Sequence, residues 1–223
     1  AIDRDLLLLT PRYSGVGKVA YATFAAYNWP GGDTSEFKDY NYLYDLEAAK
    51  ALLDEAGWVD GDGDGIREKD GVALSAEFKI PASFLGEMEP IQAMQAEIGL
   101  DMVLTTVDTQ TWFNAMEERL LDGSIRSNSG MGFFMAFFHS EYKDRPSGIS
   151  DPALDALLNE LQVTVDINDR MVVAGEAEKI VLQTAALIPI IDQMYPYMMK
   201  ASVKDVFMPL DSWLRLYDTW IEQ

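Results

Sequence analysis

The 223-residue sequence has no cysteine and a single histidine, and these two shortages exclude several kinds of site. Without cysteine the chain has no disulfide, no thiolate nucleophile and no cysteine-bound zinc or iron–sulfur centre. With His139 alone it cannot contain a motif that needs two histidines, such as the HExxH zinc motif. No serine lies in a GxSxG sequence, which excludes the nucleophile elbow of the α/β-hydrolases.

Basic residues are also scarce, since 17 Lys and Arg face 37 Asp and Glu and the formal net charge is −20 at pH 7. We therefore expect neither nucleic acid nor an anionic membrane surface as a partner, because both would repel the chain. No hydrophobic run approaches the ~20 residues of a membrane-spanning helix. We recognise no signal peptide, and the chain begins at Ala1, so we expect a removed leader or a longer parent protein.

Hydrophobic residues make up 48% of the chain, enough to form a core, and their spacing predicts alternating helices and strands. The predicted helices are 2–10, 45–56, 84–97, 109–121, 152–162 and 168–184, and the helix 45–56 is predicted to carry an apolar stripe of Leu46, Ala49, Leu52 and Leu53. The predicted strands are 72–81, 102–107, 131–138 and 188–194, with 197–203 pairing to the last of them. Residues 21–33 show neither period and are predicted to form a surface loop. The alternation predicts an α/β fold with a mixed sheet.

Three aspartates alternate with glycines around a predicted tight turn, in the DxDxDG pattern that begins a calcium-binding loop. The predicted ligands are Asp60, Asp62, Asp64, the carbonyl of Ile66, and Glu68. Gly71 stands where such a loop has its bidentate glutamate, so any bound calcium is expected to be structural and weak. The alternative is a solvated Asp-Gly turn that leads into a strand. No cofactor is required in either case.

Several segments, taken in order, resemble one family. Tyr44–Trp58 reads YDLEAAKALLDEAGW and is followed by the acidic turn Asp60–Gly65. Ser150–Leu158 reads SDPALDALL, and Ile188–Ile190 reads IPI. Together they resemble the family 5 extracellular solute-binding proteins of ABC importers, which bind peptides, nickel complexes or oligosaccharides.

The resemblance implies a mixed-sheet lobe of the type II periplasmic-binding-protein fold. Residues 1–195 would form the second, C-terminal lobe, and residues 196–223 a tail that returns toward the first lobe. The protein would be a periplasmic or extracellular monomer, optionally lipid-anchored at full length. It would capture a small solute such as an oligopeptide by lobe closure and deliver it to a membrane permease, without catalysis. The alternative is a calcium-stabilised extracellular interaction module without a transport role.

The resemblance also implies ligand contacts in two segments, an aromatic-rich loop and the strand and loop at 128–142. The candidate contacts are Tyr27, Trp29, Asn128, Ser129, Phe133, Phe134 and His139. Each has a structural alternative. For Tyr27 and Trp29 it is packing of the loop on its own domain, and for Asn128 and Ser129 it is turn formation. For Phe133 and Phe134 it is a strand buried on both faces, and for His139 a position at the surface. The segment also lacks the aspartate with which peptide binders of the family often hold the ligand amine.

A hydrolase with paired carboxylates is a third hypothesis. Glu87 with Glu89, and Glu117 with Glu118, are the closest acidic pairs on predicted helices. Neither pair projects onto one helix face, because neighbours on a face are three or four residues apart. We therefore expect all four side chains to be solvated surface groups.

Overall fold

The computed structural model of the protein describes residues 1–118, 121–125, 137–141, 147–193, 198–206 and 216–222. Its α-helices are α1 (Arg4–Leu8), α2 (Leu46–Glu55), α3 (Leu85–Ala96), α4 (Thr109–Glu117), α5 (Pro152–Val163) and α6 (Ile167–Gln183). Its strands are β1 (Gly17–Val19), β2 (Glu68–Lys69), β3 (Val72–Ala73), β4 (Ser75–Ile80), β5 (Asp101–Thr106), β6 (Ile191–Gln193), β7 (Val203–Lys204) and β8 (Trp220–Ile221). Short 3-10 helices lie at Ala26–Asn28, Pro30–Gly32, Ser35–Tyr40 and Ala82–Phe84.

The described strands pair two by two, with both parallel and antiparallel registers. β4 and β5 are parallel, from Ser75 opposite Asp101 to Ile80 opposite Thr106, and α3 connects them as a βαβ unit. The other pairs, β1 with β6, β2 with β3 and β7 with β8, are antiparallel. The predicted α/β class with mixed strand directions is therefore confirmed.

Aspartates begin most of the helices, which is one use of the chain's acidic residues. The carboxylates of Asp45, Asp108, Asp151 and Asp166 accept hydrogen bonds from backbone amides in the first turns of α2, α4, α5 and α6. Such a carboxylate satisfies amides that have no partner within the helix and interacts favourably with the helix dipole. The predicted helix starts at 45 and 152 are thus correct to within one residue.

The described residues form two main hydrophobic cores on different elements, and a third, small cluster joins Leu161 of α5 to Val173 and Ala174 of α6. The larger core joins α5 and α6 to the segment 22–37; its fully or nearly fully buried members include Phe37, Phe138, Leu154, Leu158, Ala177 and Val181. The smaller core lies between α3 and the β4–β5 pair; its buried members are Leu7, Ile80, Met88, Ile91, Met94 and Met102. Each core buries the apolar stripe of an amphipathic helix, as the periodicity predicted.

Four expectations about these elements are wrong. In the described part of the segment 197–203, no residue pairs with β6: β6 pairs with β1, and Val203 belongs to β7, which pairs with β8. Helix α2 has no buried residue, and Leu52 on its predicted apolar stripe is exposed. Phe137 and Phe138, at the end of the predicted strand 131–138, are helical, while residues 131–136 lie outside the described residues.

The fourth wrong expectation concerns residues 21–33, which are not a surface loop throughout. Ala22 and Phe24 are buried in the larger core. Thr23, between them, is buried where its hydroxyl bonds to Glu178 of α6. The predicted boundary between residues 195 and 196 falls among residues that are not described, so the division into lobe and tail stays a prediction. Among the described residues, none of the helices combines the length and apolar character needed to cross a membrane.

Candidate functional site

The aromatic loop, defined as residues 21–29, presents its two candidate ligand contacts differently. Trp29 stacks on Phe24 with ring centroids 5.3 Å apart and meets the edge of Phe37 at 5.0 Å. Its indole also lies against Gly175 of α6, where an added Cβ would stand 3.1 Å from the ring. Tyr27 remains 37% exposed. The loop therefore uses Trp29 for packing and leaves Tyr27 open, and a ligand role for either stays a prediction.

Two carboxylates from other elements hold the backbone of this loop. Glu178 of α6 accepts hydrogen bonds from the Thr23 amide at 2.5 Å and from the Thr23 hydroxyl at 2.7 Å. Asp192 of β6 accepts one from the Ala26 amide at 2.8 Å. The aromatic loop is thus anchored to α6 and β6 by hydrogen bonds to two carboxyl groups that lie far from it in the sequence.

Burial changes the proton affinity of both carboxylates. Glu178 is fully buried, and removal from water raises its pKa to about 7, although the hydrogen bonds from Thr23 oppose the rise. Burial also raises the pKa of Asp192, while its bond to Ala26 and the nearby charge of Lys18 lower it. Sequence reasoning missed Glu178. A signal was present, because it follows Ala174 by four residues and precedes Val181 by three, on the buried stripe of α6.

His139 is buried, so the alternative to its ligand role, a surface histidine, does not hold. Its Nδ1 accepts a hydrogen bond from the Glu141 amide at 3.2 Å and lies 4.0 Å from a carboxylate oxygen of Asp155 on α5. Ser140 donates to Asp155 both from its amide, at 2.7 Å, and from its hydroxyl. Because the hydroxyl bonds to the carboxylate directly, this is not the relay of a Ser-His-Asp triad. The contacts fix the segment 137–141 on α5.

The other four predicted contacts lie outside the described residues. They are Asn128, Ser129, Phe133 and Phe134. Their ligand roles, like that of His139, stay predictions.

The acidic loop, defined as residues 60–68, brings four of its five predicted ligands together. The carboxylate oxygens of Asp60, Asp62, Asp64 and Glu68 lie within 4.8 Å of one another. They also accept hydrogen bonds from the loop's own amides, including Gly63 to Asp60 at 2.7 Å and Ile66 to Asp64 at 2.8 Å. The solvated turn needs the same bonds, so the geometry fits both alternatives. The Ile66 carbonyl as a fifth ligand stays a prediction.

Glu87 is not a solvated surface group, which corrects a further expectation. Its carboxylate is buried and pairs with the guanidinium of Arg12 at 2.6 Å. Burial raises its pKa, and Arg12 and a hydrogen bond from Tyr13 oppose the rise. Glu89, Glu117 and Glu118 are exposed as expected. Glu87 therefore ties the N-terminal segment to α3 and is not half of a carboxylate pair.

Comparison with known proteins gives a family for most of this chain. Residues 1–144 match the model of the bacterial extracellular solute-binding proteins, family 5 Middle. A Brucella abortus protein provisionally named an ABC transporter peptide-binding protein is 34% identical over 115 residues, 50% of this chain and 19% of that protein. The oligopeptide-binding protein AppA of Bacillus subtilis is 34% identical over 79 residues, 35% of this chain and 14% of that protein. The chain thus covers less than a quarter of these relatives.

Solved structures with less than 25% identity show the same fold. AppA of Bacillus subtilis, in complex with a nonapeptide, matches with a TM-score of 0.69 at 22% identity. The match covers 100% of this chain and 46% of the AppA chain. A dipeptide-binding protein of Pseudoalteromonas, in complex with Met-Leu, matches with a TM-score of 0.71 at 18% identity. The match covers 99% of this chain and 43% of that protein's chain. These are periplasmic binding proteins of the type II fold. The chain belongs to the family 5 bacterial extracellular solute-binding proteins.

Proposed function

We propose that the chain is the second lobe of the substrate-binding component of an ABC importer, which captures a peptide and delivers it to a membrane permease. The observation that carries the proposal is the family match over residues 1–144. The relatives that are 34% identical bear names of peptide binders, which favours peptides over nickel complexes and oligosaccharides. The family match favours transport over a calcium-stabilised interaction module, for which the comparisons give no support.

Binding would need two walls, because ligand sites bury most of the ligand surface. This lobe supplies one wall, in which the exposed Tyr27 on the anchored aromatic loop is the candidate contact described by the structure. Closure of the second lobe over the ligand would complete the site by a hinge motion. The protein would act outside the cytoplasm, as a monomer and without covalent chemistry.

The test uses the natural gene product that contains these residues. Thermal shift and calorimetry with peptides of two to nine residues are expected to show saturable binding, while a nickel chelate and a mannose oligosaccharide give none. Tyr27→Ala is expected to weaken peptide binding by about tenfold, in line with loss of an aromatic contact. Tyr42→Ala is the matched control, since Tyr42 is exposed on the neighbouring segment and bonds to the Gln183 carbonyl.

Two results would contradict the proposal. Binding of the chelate or the sugar without peptide binding would show that the ligand class is wrong. Absence of binding to all three would reject the solute-binding role itself.

A further inference from the structure

The contact between Glu178 and Thr23 joins the aromatic loop to a carboxyl group that has no access to water. Glu178 is 0% exposed, and its surroundings are the apolar side chains of the larger core, such as Phe24, Phe37 and Val181. Both carboxyl oxygens bond to the same loop residue, one to its amide and one to its hydroxyl. The loop cannot leave α6 without breaking both bonds, and the carboxyl group cannot be hydrated while the loop stays.

The two protonation states of Glu178 fit this cavity unequally. When ionised, the carboxylate accepts both hydrogen bonds but places a full charge in an apolar core, which is unfavourable. When protonated, one oxygen still accepts from the Thr23 amide, and the other can donate to the Thr23 hydroxyl, which is both a donor and an acceptor. The neutral form therefore keeps both contacts without the buried charge.

We propose that Glu178 is a proton-controlled latch on the aromatic loop: protonation of its carboxyl group favours docking on α6, and ionisation raises the population of released, hydrated loop. Release also breaks the bond from the Asn41 side chain to the Tyr21 carbonyl at 2.9 Å and the packing of Phe24 on Trp29 and Phe37, which sets a cost of opening that is independent of the proton. The loop's other described polar contacts to the rest of the chain involve Asp192 and Arg4. Asp192 bonds to Ala26, and Arg4 bonds to the carbonyls of Ala20 and Pro189 at 2.9 and 3.0 Å. The bonds to Ala20 and Ala26 hold the residues on either side of Tyr21–Ala25, so Tyr21–Ala25 is the segment that is released.

Charged groups on the surrounding elements do not neutralise Glu178. The charged groups are Asp155 on α5, Glu176 and Lys179 on α6, Glu36, Lys38 and Asp39 on the 3-10 helix Ser35–Tyr40, and Arg4, Lys18 and Asp192; the further titratable groups are Tyr40 and His139. In the described parts of the chain none of them forms an ion pair with Glu178. Lys179, its neighbour in sequence, points away, pairs with Glu176 at 2.6 Å and lies over the Tyr40 ring.

The direction of the effect follows from linkage. The docked state has the higher affinity for the proton, since burial raises the pKa of Glu178 to about 7, whereas a hydrated glutamate has a pKa of about 4.3. The population of released loop therefore rises by up to about tenfold per pH unit between about pH 5 and 7 and levels off above that range. If the proposed function holds, the contact made by Tyr27 becomes pH-dependent in the same range; the latch itself does not rest on that function.

Amide hydrogen exchange of the ligand-free protein, read residue by residue between pH 5 and 8, tests the latch. The protection factor of the Thr23 amide, corrected for the intrinsic pH dependence, is expected to fall at least thirtyfold (~1.5 pH units of linkage) and then level off. At pH 8 it is expected to lie at least about tenfold below that of Ile91 in α3, because the loop opens without the smaller core. Equal protection of the two amides at every pH would show global unfolding alone and overturn the proposal.

Variants separate the latch from a purely structural contact. Glu178→Gln keeps the shape and both hydrogen bonds and is expected to make Thr23 protection independent of pH. Glu176→Gln, on the exposed face of the same helix, is the matched control and is expected to keep the wild-type profile. Persistence of the pH dependence in Glu178→Gln would overturn the proposal.

Thr23→Val provides a second route if Glu178→Gln folds poorly. It removes the hydroxyl that stabilises the ionised carboxylate but keeps the amide. The pH at which protection levels off is then expected to move upward, because one cause that lowers the pKa of Glu178 is lost. An unchanged midpoint would contradict the role of this contact.

Discussion

Two loops of this molecule are held by carboxylates that accept hydrogen bonds from backbone amides, but only one of them is removed from water. In the acidic loop the carboxylates of Asp60, Asp62 and Asp64 are exposed, and their charges are hydrated. In the aromatic loop the carboxyl group of Glu178 is fully buried. The same hydrogen-bond chemistry therefore gives a pH-sensitive contact in one place and a set of hydrated charges in the other, because burial decides the cost of the charge.

The largest expected effect comes from the core beneath the aromatic loop. Leu158→Ala, at a side chain with no exposed surface, is expected to lower the free energy of unfolding by about 2–5 kcal/mol through lost burial and the remaining cavity. Leu52→Ala on α2 is the control and is expected to change it by less than about 1 kcal/mol, because Leu52 is exposed. Urea unfolding of both variants measures the difference, and equal losses would contradict the core assignment.

The pH dependence of stability is the next effect in size. The folded-state pKa of Glu178 is raised, so its contribution to stability is fully present below the pKa of the unfolded state, about 4.3, and is lost as the pH rises through about 7. Wild type is expected to lose up to about 3 kcal/mol more than Glu178→Gln between pH 4.5 and pH 8. Asp60→Asn in the acidic loop is the control and should leave the wild-type slope in place. Parallel curves for wild type and Glu178→Gln would refute the assignment.

Glu87 offers an intermediate case, a buried carboxylate with an ionic partner. Arg12→Ala removes the ionic partner of this buried carboxylate and leaves it only the hydrogen bond from Tyr13; the change is expected to cost about 1–3 kcal/mol. Lys50→Ala removes the exposed partner of Glu47, at 3.6 Å, and is expected to cost less than about 1 kcal/mol. Chemical unfolding at pH 7 measures both, and a cost for Lys50→Ala as large as that for Arg12→Ala would show that burial is not the deciding variable.

The smallest effect concerns calcium at the acidic loop. A weak protein site for calcium has a dissociation constant of about 1 mM. If the acidic loop binds with that constant, 10 mM Ca²⁺ is expected to stabilise the fold by about 1.4 kcal/mol. Asp62→Asn should abolish the gain in melting temperature, and Asp70→Asn, outside the cluster, should keep it. A melting temperature unaffected by calcium would leave the solvated turn as the correct interpretation.

Features set by neighbouring residues could be predicted from the sequence. The helix starts at Asp45, Asp108 and Asp151 carry their own capping side chains. The β4–α3–β5 unit follows from a switch between strand and helix periodicity. The acidic loop could also be located, because its ligands lie within nine residues of one another.

Contacts between distant residues could not be predicted, because periodicity does not identify which element covers a given face. Thr23 and Glu178 are 155 residues apart, and neither shows a local pattern that names the other. The ion pair of Arg12 with Glu87 and the pairing of β1 with β6 are likewise contacts between residues far apart in the sequence, and no local pattern predicts them. For this reason the aromatic loop was expected at the surface, and its anchors, Glu178 and Asp192, were missed.

The proposed role of this lobe is tested most directly by amide NMR of the natural gene product during titration with a mixture of two- to nine-residue peptides. The proposal predicts saturable shift changes in the aromatic loop around Tyr27 and none in the acidic loop, whose carboxylates lie on a different part of the chain. Saturating peptide that leaves the amides of residues 21–29 unchanged would contradict it.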